Sequence, residues 1–483
     1  MKRLVCLLVA VTAGVVTAGE FKAGFARTDI TPPLGSFMPG YYKDRRAKEV
    51  LDPLEINCVA FSDGKETALV MQFDTEALSD SVADKMRDAV VKATGVKRDA
   101  ILLHASHTHD GAYLAMKVDH GSSSGDDGVP ANATKVDILY IDMATTRAAD
   151  AAVAAIRDLK PAKLSCGRSE AKRISFGRRY LMKDGKVRTN PGVKNPDIVK
   201  PTGNPPDEDV QILRIDREGA KTICVINFQT HPDVVGGETI TADWPGLTRT
   251  VFEAATFGDS HCIVLNGTQG DVNHVNVMPL IGEENGLHKD FDDVDRGYDH
   301  AKHMANVLAA AALRVWMKCV PLEAGEIKFA VGNVRVPSQR PKTKAELDWA
   351  NDVWAKHEAG KDAELPWKGM ELTTEVARAG RIRRLADGPD FFELPLNTVA
   401  IGKSVAICGF PGEPFNDIGK AVKKSSPFKL TILSCLTNGS RGYFPFSDSF
   451  KEGGYESATS PFGPSVADDL IAGELKVLDA LHK

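Results

Sequence analysis

The sequence predicts a mixed α/β fold, with mixed β-sheets flanked by helices and a metal site at the strand ends. Two observations carry this reading. Short apolar runs alternate with amphipathic stretches over the whole chain after residue 19. Five of the apolar runs end in loops that carry unusual polar residues, and in sheets of this kind ligands gather beyond the carboxyl ends of strands. The chain has 483 residues, above the roughly 250–300 at which one core stops growing easily. A single large domain over residues 19–483 is expected, with a helical excursion at 341–380.

In chain order, residues 1–18 read as a secretory signal. Lys2-Arg3 precede an apolar run, and Val16-Thr17-Ala18 supply small residues before a cut at Gly19. The run is too short to span a bilayer comfortably. Export to a secreted or periplasmic location follows, and loss of Lys2 and Arg3 takes the net charge from −5 to −7. Helices are expected at Ser81–Thr94, Lys135–Asp158, Pro245–Phe257, Asp293–Lys318 and Pro464–Leu481, with Pro245 and Pro464 suited to first turns. Residues 121–128 read as a Gly/Ser/Asp loop. Trp349, Trp354 and Trp367 mark the 341–380 excursion.

Composition is that of an ordinary globular protein, 43% hydrophobic and 26% charged. Sixty basic residues against 65 acidic ones give no basic excess for nucleic acid. Of 8 cysteines, Cys6 leaves with the leader, and the odd remainder cannot pair completely. Cys58, Cys224, Cys262, Cys408 and Cys435 lie in apolar runs and are expected as buried thiols. No Cys-x-x-Cys, His-Glu-x-x-His or phosphate-binding loop occurs, and no Gly-x-Ser-x-Gly elbow follows an apolar run.

The chemistry concentrates at five run ends. Ile101–Leu103 leads to Ser106-His107-Thr108-His109-Asp110-Gly111. Ile223–Phe228 leads to Thr230-His231-Pro232. Ile263–Leu265 leads to Asn266–Asp271, Val405–Phe410 to Pro411-Gly412-Glu413, and Leu430–Leu436 to Asn438–Tyr443. In extended backbone His107 and His109 share a face, as a metal or a proton-transfer pair requires. His104 is off this register and reads as structural. Two histidines and a carboxylate, with Glu413 aimed by a Pro-Gly turn, satisfy the ligand set of a catalytic zinc with an open position.

These motifs, in order, resemble the catalytic domain of the neutral/alkaline non-lysosomal ceramidases. The resemblance begins at Ala23–Pro32 and runs through Ser106–Gly111, Thr230-His231, Gly270-Asp271-Val272, Pro411-Gly412-Glu413, Asn438–Tyr443 and Gly454-Tyr455-Glu456. It implies a zinc-dependent amide hydrolase acting on ceramide or a related N-acylated lipid, in transient contact with a membrane surface. Zinc ligands would be His107, His231, Glu413 and Tyr443. His109 would stand beside the reacting water, and Tyr455 would hydrogen-bond the developing oxyanion. Arg178 would contact substrate, with Arg179 as its rival. Asp271 and Asn273 are expected on the substrate-binding side. The family's Ser after Gly-Asp-Val is Asn273 here, which excludes a Ser nucleophile at that position. The chain also ends soon after the last motif, so no immunoglobulin-like C-terminal domain is expected. Other readings are a zinc hydrolase of a different N-acyl or ester compound, and an exported binding protein without turnover.

Overall fold

The computed structural model describes residues 20–41, 45–114, 134–280, 289–290 and 294–483. The leader at 1–18, the loop at 121–128 and the start of the helix expected from Asp293 lie outside these residues.

The first half of the chain runs β1 (Lys22–Asp29), β2 (Glu55–Ser62), β3 (Thr67–Phe73), α1 (Asp80–Thr94), β4 (Ile101–Ala105), α2 (Lys135–Arg157), β5 (Lys160–Glu170), β6 (Asp209–Arg217), β7 (Thr222–Phe228), α3 (Asp243–Ala255) and β8 (Ser260–Asn266). Then come α4 (Tyr298–Trp316), β9 (Val320–Leu322), β10 (Ile327–Pro337), α5 (Lys344–Glu358), α6 (Gly369–Leu385), β11 (Phe391–Ile401), β12 (Val405–Gly409), α7 (Asn416–Ser425), β13 (Leu430–Ser434), α8 (Ser447–Glu452), α9 (Tyr455–Thr459) and α10 (Val466–His482). Several two- to four-residue strands bridge the loops.

Two sheets organise the molecule. The larger has the order β8-β7-β6-β5-β1-β2-β3-β4, with β9 added to β5. Its pairings are antiparallel except β7 with β8 and β3 with β4. The smaller is β10-β11-β12-β13, with β12 and β13 parallel. The parallel strands are continuous apolar runs, as burial on both faces demands. Helices α1 and α2 cover one region of the large sheet, and α3 and α4 another. Helices α7 and α10 cover the small sheet.

All five apolar runs singled out in the sequence are strands: β4, β7, β8, β12 and β13. Buried polar side chains tie their ends together. His104 on β4 accepts the Asn266 N–H at 3.0 Å and meets the Cys435 carbonyl at 2.8 Å, which is the structural role its register implied. Asn227 on β7 donates to the Leu433 carbonyl at 2.8 Å, joining the two sheets. Asn438 offers β4 a substitute strand, accepting from Leu103 N–H at 2.9 Å and donating to the Ile101 carbonyl at 3.0 Å. These bonds bring the ends of β4, β7, β8 and β13 to one place, and the parallel pairing of β12 with β13 adds the fifth segment.

The expected helices are present with shifted ends. Helix α1 is capped by Ser79 and stopped at Gly95 (φ 73°). Pro245 is the third residue of α3, but Pro464 precedes α10, whose N-cap is Ser465. The 341–380 excursion is a two-helix unit, α5 and α6, that extends to Leu385 and has its own small core of Ala350, Val353, Val376 and Ile382. All seven cysteines among the described residues are free. The five assigned to the core are buried there, while Cys166 and Cys319 are half-buried. Among the described residues no helix is long and apolar enough to cross a membrane.

Candidate metal centre

His107 and His109 leave β4 in a turn rather than in extended backbone. His107 has φ 75°, a left-handed conformation that is uncommon for a residue with a Cβ and that concentrates at functional sites. The expected strand register is therefore not what aligns the two rings. The turn does so instead, leaving the Nε2 atoms 3.3 Å apart.

His231 follows β7, and its Nε2 faces the same point. Glu413 follows β12 and pairs in register with Tyr443 in a two-residue parallel ladder, so the two side chains share a face. Gly412 permits this approach, because a Cβ there would lie 2.5 Å from the Gly442 carbonyl oxygen. Glu413 Oε2 lies 3.3 Å from His107 Nε2 and 3.1 Å from His231 Nε2. The Tyr443 hydroxyl is 3.3 Å from His231 Nε2.

The outer ring nitrogens fix the tautomers. His107 Nδ1 meets the Glu76 carbonyl at 2.8 Å, and His231 Nδ1 meets the Gln269 carbonyl at 2.9 Å. Each Nδ1 therefore carries a proton, and either ring, when neutral, turns an Nε2 lone pair toward the Glu413 carboxylate. Lone pairs facing lone pairs call for a positive charge between them. Burial opposes charging His107, but the Glu413 and Glu76 carboxylates outweigh it and lift the imidazole to about 9. Burial pushes His231 and His109 down. Burial raises Glu413, yet His107 and His231 hold it well below the usual carboxylate range. Burial and Glu413 push the Tyr443 hydroxyl up.

A bound cation meets the same demand. Tetrahedral zinc with Zn–N bonds of roughly 2.0–2.1 Å sets its donors roughly 3.3 Å apart, the spacing found here. His107, His109 and His231 offer ring nitrogens that all lie within 4.8 Å of one another, and this buried group can hold a metal ion. The carbonyls on Nδ1 are the outer contacts that metal-bound histidines use.

The remaining singled-out residues surround this point. Tyr455 opens α9 with its ring 5.7 Å from that of Tyr443. Arg178 is buried, with its guanidinium 5.4 Å over the Tyr443 ring. It donates to Glu456 Oε1 at 2.7 Å and to the Gly270 carbonyl at 2.7 Å. Arg179 is also buried and donates to Glu456 Oε2 at 2.9 Å. Of these rivals, Arg178 is the one that reaches Tyr443. Asn273 is buried, donating to Asn190 Oδ1 at 3.3 Å and accepting the Val275 N–H at 3.0 Å. The Asp271 carboxylate accepts the first N–H of α7, from Asn416, at 2.7 Å, and burial raises it to about 6.

Four contributors were given no role in the sequence reading. Gln269 serves both partners, accepting from His231 through its carbonyl and donating to Glu413 from its side chain at 3.3 Å. Glu76 supplies the His107 contact, and Glu456 clamps both arginines. Arg45 is buried, stacks 4.3 Å over Tyr41 and pairs with Asp110 at 3.3 Å, pinning the loop that covers His109. Gly40 (φ 98°) lets that loop lie on His109, since a Cβ would be 2.7 Å from its Nδ1. The Gly267–Asp271 stretch marks Gln269's neighbourhood and the Gly454-Tyr455-Glu456 motif includes Glu456, but nothing local in the sequence flags Glu76 or Arg45.

Fold and site together define an α/β protein with a buried histidine-carboxylate centre at converging strand ends. The solved structures extend this. Neutral ceramidase from Pseudomonas aeruginosa superposes with a TM-score of 0.70 at 16% identity, over 96% of this chain and 75% of that one. A ceramidase complexed with C2 gives a TM-score of 0.67 at 15% identity, over the same shares, 96% and 75%. The chain has the neutral ceramidase fold, as its motif order implied. No protein-family model matches it, and no curated protein matches its sequence.

Proposed function

We propose that the protein is an exported, zinc-dependent hydrolase of N-acyl amides, with ceramide as the first substrate to test. One observation carries the reading: two histidine Nε2 atoms and the Glu413 carboxylate converge at 3.1–3.3 Å with both Nδ1 protons committed to carbonyls.

His107, His231, Glu413 and Tyr443 would hold the ion. Zinc, when bound, polarises an amide carbonyl and makes hydroxide available near neutral pH. Tyr455 donates its hydroxyl proton toward the carbonyl oxygen as negative charge develops there. His109 takes up a proton at Nε2 and returns it to the leaving nitrogen. Arg178, held by Glu456, keeps Tyr443 in place. With Asn273 engaged by Asn190 and Val275, no side-chain nucleophile is required at that position. The apolar run at 1–18 directs export.

The test is fatty-acid release from ceramide by purified protein, run untreated, with a chelator, and with zinc restored. Release that chelation abolishes and zinc restores is the expected result. No release of any acyl product from zinc-loaded, folded protein would overturn the reading in favour of a binding protein.

A further inference from the structure

We propose that Asn266 is a positioning residue of the metal centre, its one buried side-chain amide setting the spacing of His107 and His231. This rests on the zinc reading and extends it to a residue outside the ligand set.

The strands alone leave that spacing open. His107 follows β4 and His231 follows β7. These strands lie toward opposite ends of the large sheet, and among the described residues no ladder joins them. Asn266 ends β8 and is fully buried. Its Nδ2 donates to the Ser106 carbonyl at 3.2 Å and to the Thr230 carbonyl at 3.1 Å. Its Oδ1 accepts the Thr230 N–H at 3.3 Å. Ser106 and Thr230 immediately precede His107 and His231. Each carbonyl therefore belongs to the peptide plane that enters a ligand, and that plane is rigid.

The far side of each plane is held as well. The His107 N–H donates to the Thr75 carbonyl at 2.9 Å, and the His231 N–H to the Val272 carbonyl at 3.2 Å. The main chain of Asn266 is itself anchored. Its N–H donates to His104 Nε2 at 3.0 Å, and its carbonyl accepts the Cys435 N–H at 3.0 Å. The amide thus stands on a fixed stem and fixes two ligand backbones against each other.

A carboxamide suits this demand in a short side chain. Its two N–H groups diverge to two carbonyls while its oxygen takes an N–H. A carboxylate of the same shape would set oxygen against both carbonyls, and an apolar side chain would leave them buried and unpaired. His107 adds a second requirement. Its φ of 75° persists only where the surroundings over-determine it, and Asn266 and Thr75 together hold the peptide plane on which that angle turns. A metal's donors must stay within roughly 0.5 Å of the productive geometry. Without the amide the two entering peptides move independently, and the Nε2 atoms lose their common point.

The test is the zinc affinity of metal-stripped protein, measured by competition with a chromophoric chelator. It compares the wild type with Asn266→Ala, Asn266→Asp and a matched control, Asn227→Ala. Asn227 is also a buried carboxamide, with Nδ2 on the Leu265 and Leu433 carbonyls at 2.7 and 2.8 Å and Oδ1 accepting the Leu433 N–H at 3.3 Å. None of those groups lies in a peptide plane that enters a ligand. Asn266→Ala should raise the zinc Kd roughly tenfold to a hundredfold, the scale of a lost outer contact. Asn266→Asp should also raise it, although an added negative charge would by itself draw the ion tighter. Asn227→Ala should lower the melting temperature about as much as Asn266→Ala and leave the zinc Kd within about threefold. The visible absorption of the cobalt-loaded protein, which reports donor geometry, should change in the Asn266 variants and match the wild type in the control. Wild-type zinc affinity in the folded Asn266 variants, or an equal loss in Asn227→Ala, would place Asn266 in the fold alone and overturn the proposal. So would failure of both Asn266 variants to fold where Asn227→Ala folds. A wild type that binds neither zinc nor cobalt removes the zinc reading and this proposal with it. Tight zinc binding without cleavage of any amide removes the hydrolase reading only, and the comparison of affinities still decides the role of Asn266.

Discussion

Two buried glutamates, Glu456 on α9 and Glu413 beyond β12, have opposite surroundings. Glu456 accepts from Arg178 at 2.7 Å, Arg179 at 2.9 Å and Thr189 at 3.0 Å. Every contact brings a proton, so the group is complete as it stands. Glu413 faces two imidazoles whose Nδ1 protons are committed elsewhere, and it also meets the Gln269 amide. Burial alone does not separate the two, since both side chains are almost wholly enclosed. The direction of the protons does. A carboxylate ringed by donors holds structure together, whereas one facing acceptors is prepared for a cation. Arg178 joins the two regions, with its Nε on Glu456 and its plane over the Tyr443 ring.

The largest effect should come from breaking the cation-seeking side. Glu413→Ala should abolish zinc retention and lower activity roughly 10³-fold or more, because the metal's contribution is worth several kcal/mol. Metal analysis of the purified variant, with circular dichroism to check its fold, measures this. Full zinc content would remove Glu413 from the ligand set. The opposite signature is expected on the other side. Glu456→Ala leaves two guanidinium groups buried without their carboxylate, which costs about 3–5 kcal/mol of stability. Urea unfolding reads that loss, and a change under about 1 kcal/mol would mean the clamp is dispensable.

Tyr455 sharpens the contrast because it is the direct neighbour of Glu456 yet faces the Tyr443 ring. Tyr455→Phe should leave stability and zinc content unchanged and lower kcat roughly 10²-fold, the scale of one lost oxyanion donor. An equal fall in stability would place the hydroxyl in the packing instead.

The sequence made the strands and their polar ends legible because each motif is local: an apolar run, then a His, a Pro-Gly-Glu or an Asn-Gly. Histidines and Glu413 stood out by their chemistry at strand ends, and the set His107, His231, Glu413 and Tyr443 was named from the resemblance in motif order. The geometry that aligns them was not legible. The left-handed φ of His107 depends on tertiary contacts, including its own bond to the Glu76 carbonyl, and no dipeptide preference encodes it. The roles of Glu456 and Arg45 were not legible because a buried charge looks like a surface charge until its partner, 277 residues away between Glu456 and Arg179, is brought beside it. The charges along 368–378 read only as part of a helical excursion, and only the fold sets Glu371 beside Arg188.

The smallest predicted effect is a pH dependence that belongs to Glu456. Burial raises its carboxyl, but Arg178 and Arg179 outweigh that and hold it below the ordinary 4.5. A carboxylate depressed in the folded state contributes stability that is fully present above its unfolded value and is lost as pH falls through its folded value. Its stabilising share should therefore be constant near neutrality and decline only below 4.5. Urea unfolding of wild type and Glu456→Gln from pH 7 to pH 3 isolates that share as the difference between them. The gap should hold steady down to about pH 5 and then narrow. A gap that stayed flat to pH 3, or that widened with acid, would show that the arginines are satisfied without the charge on Glu456. The clamp would then be hydrogen bonding alone, and the electrostatic half of the contrast with Glu413 would fall.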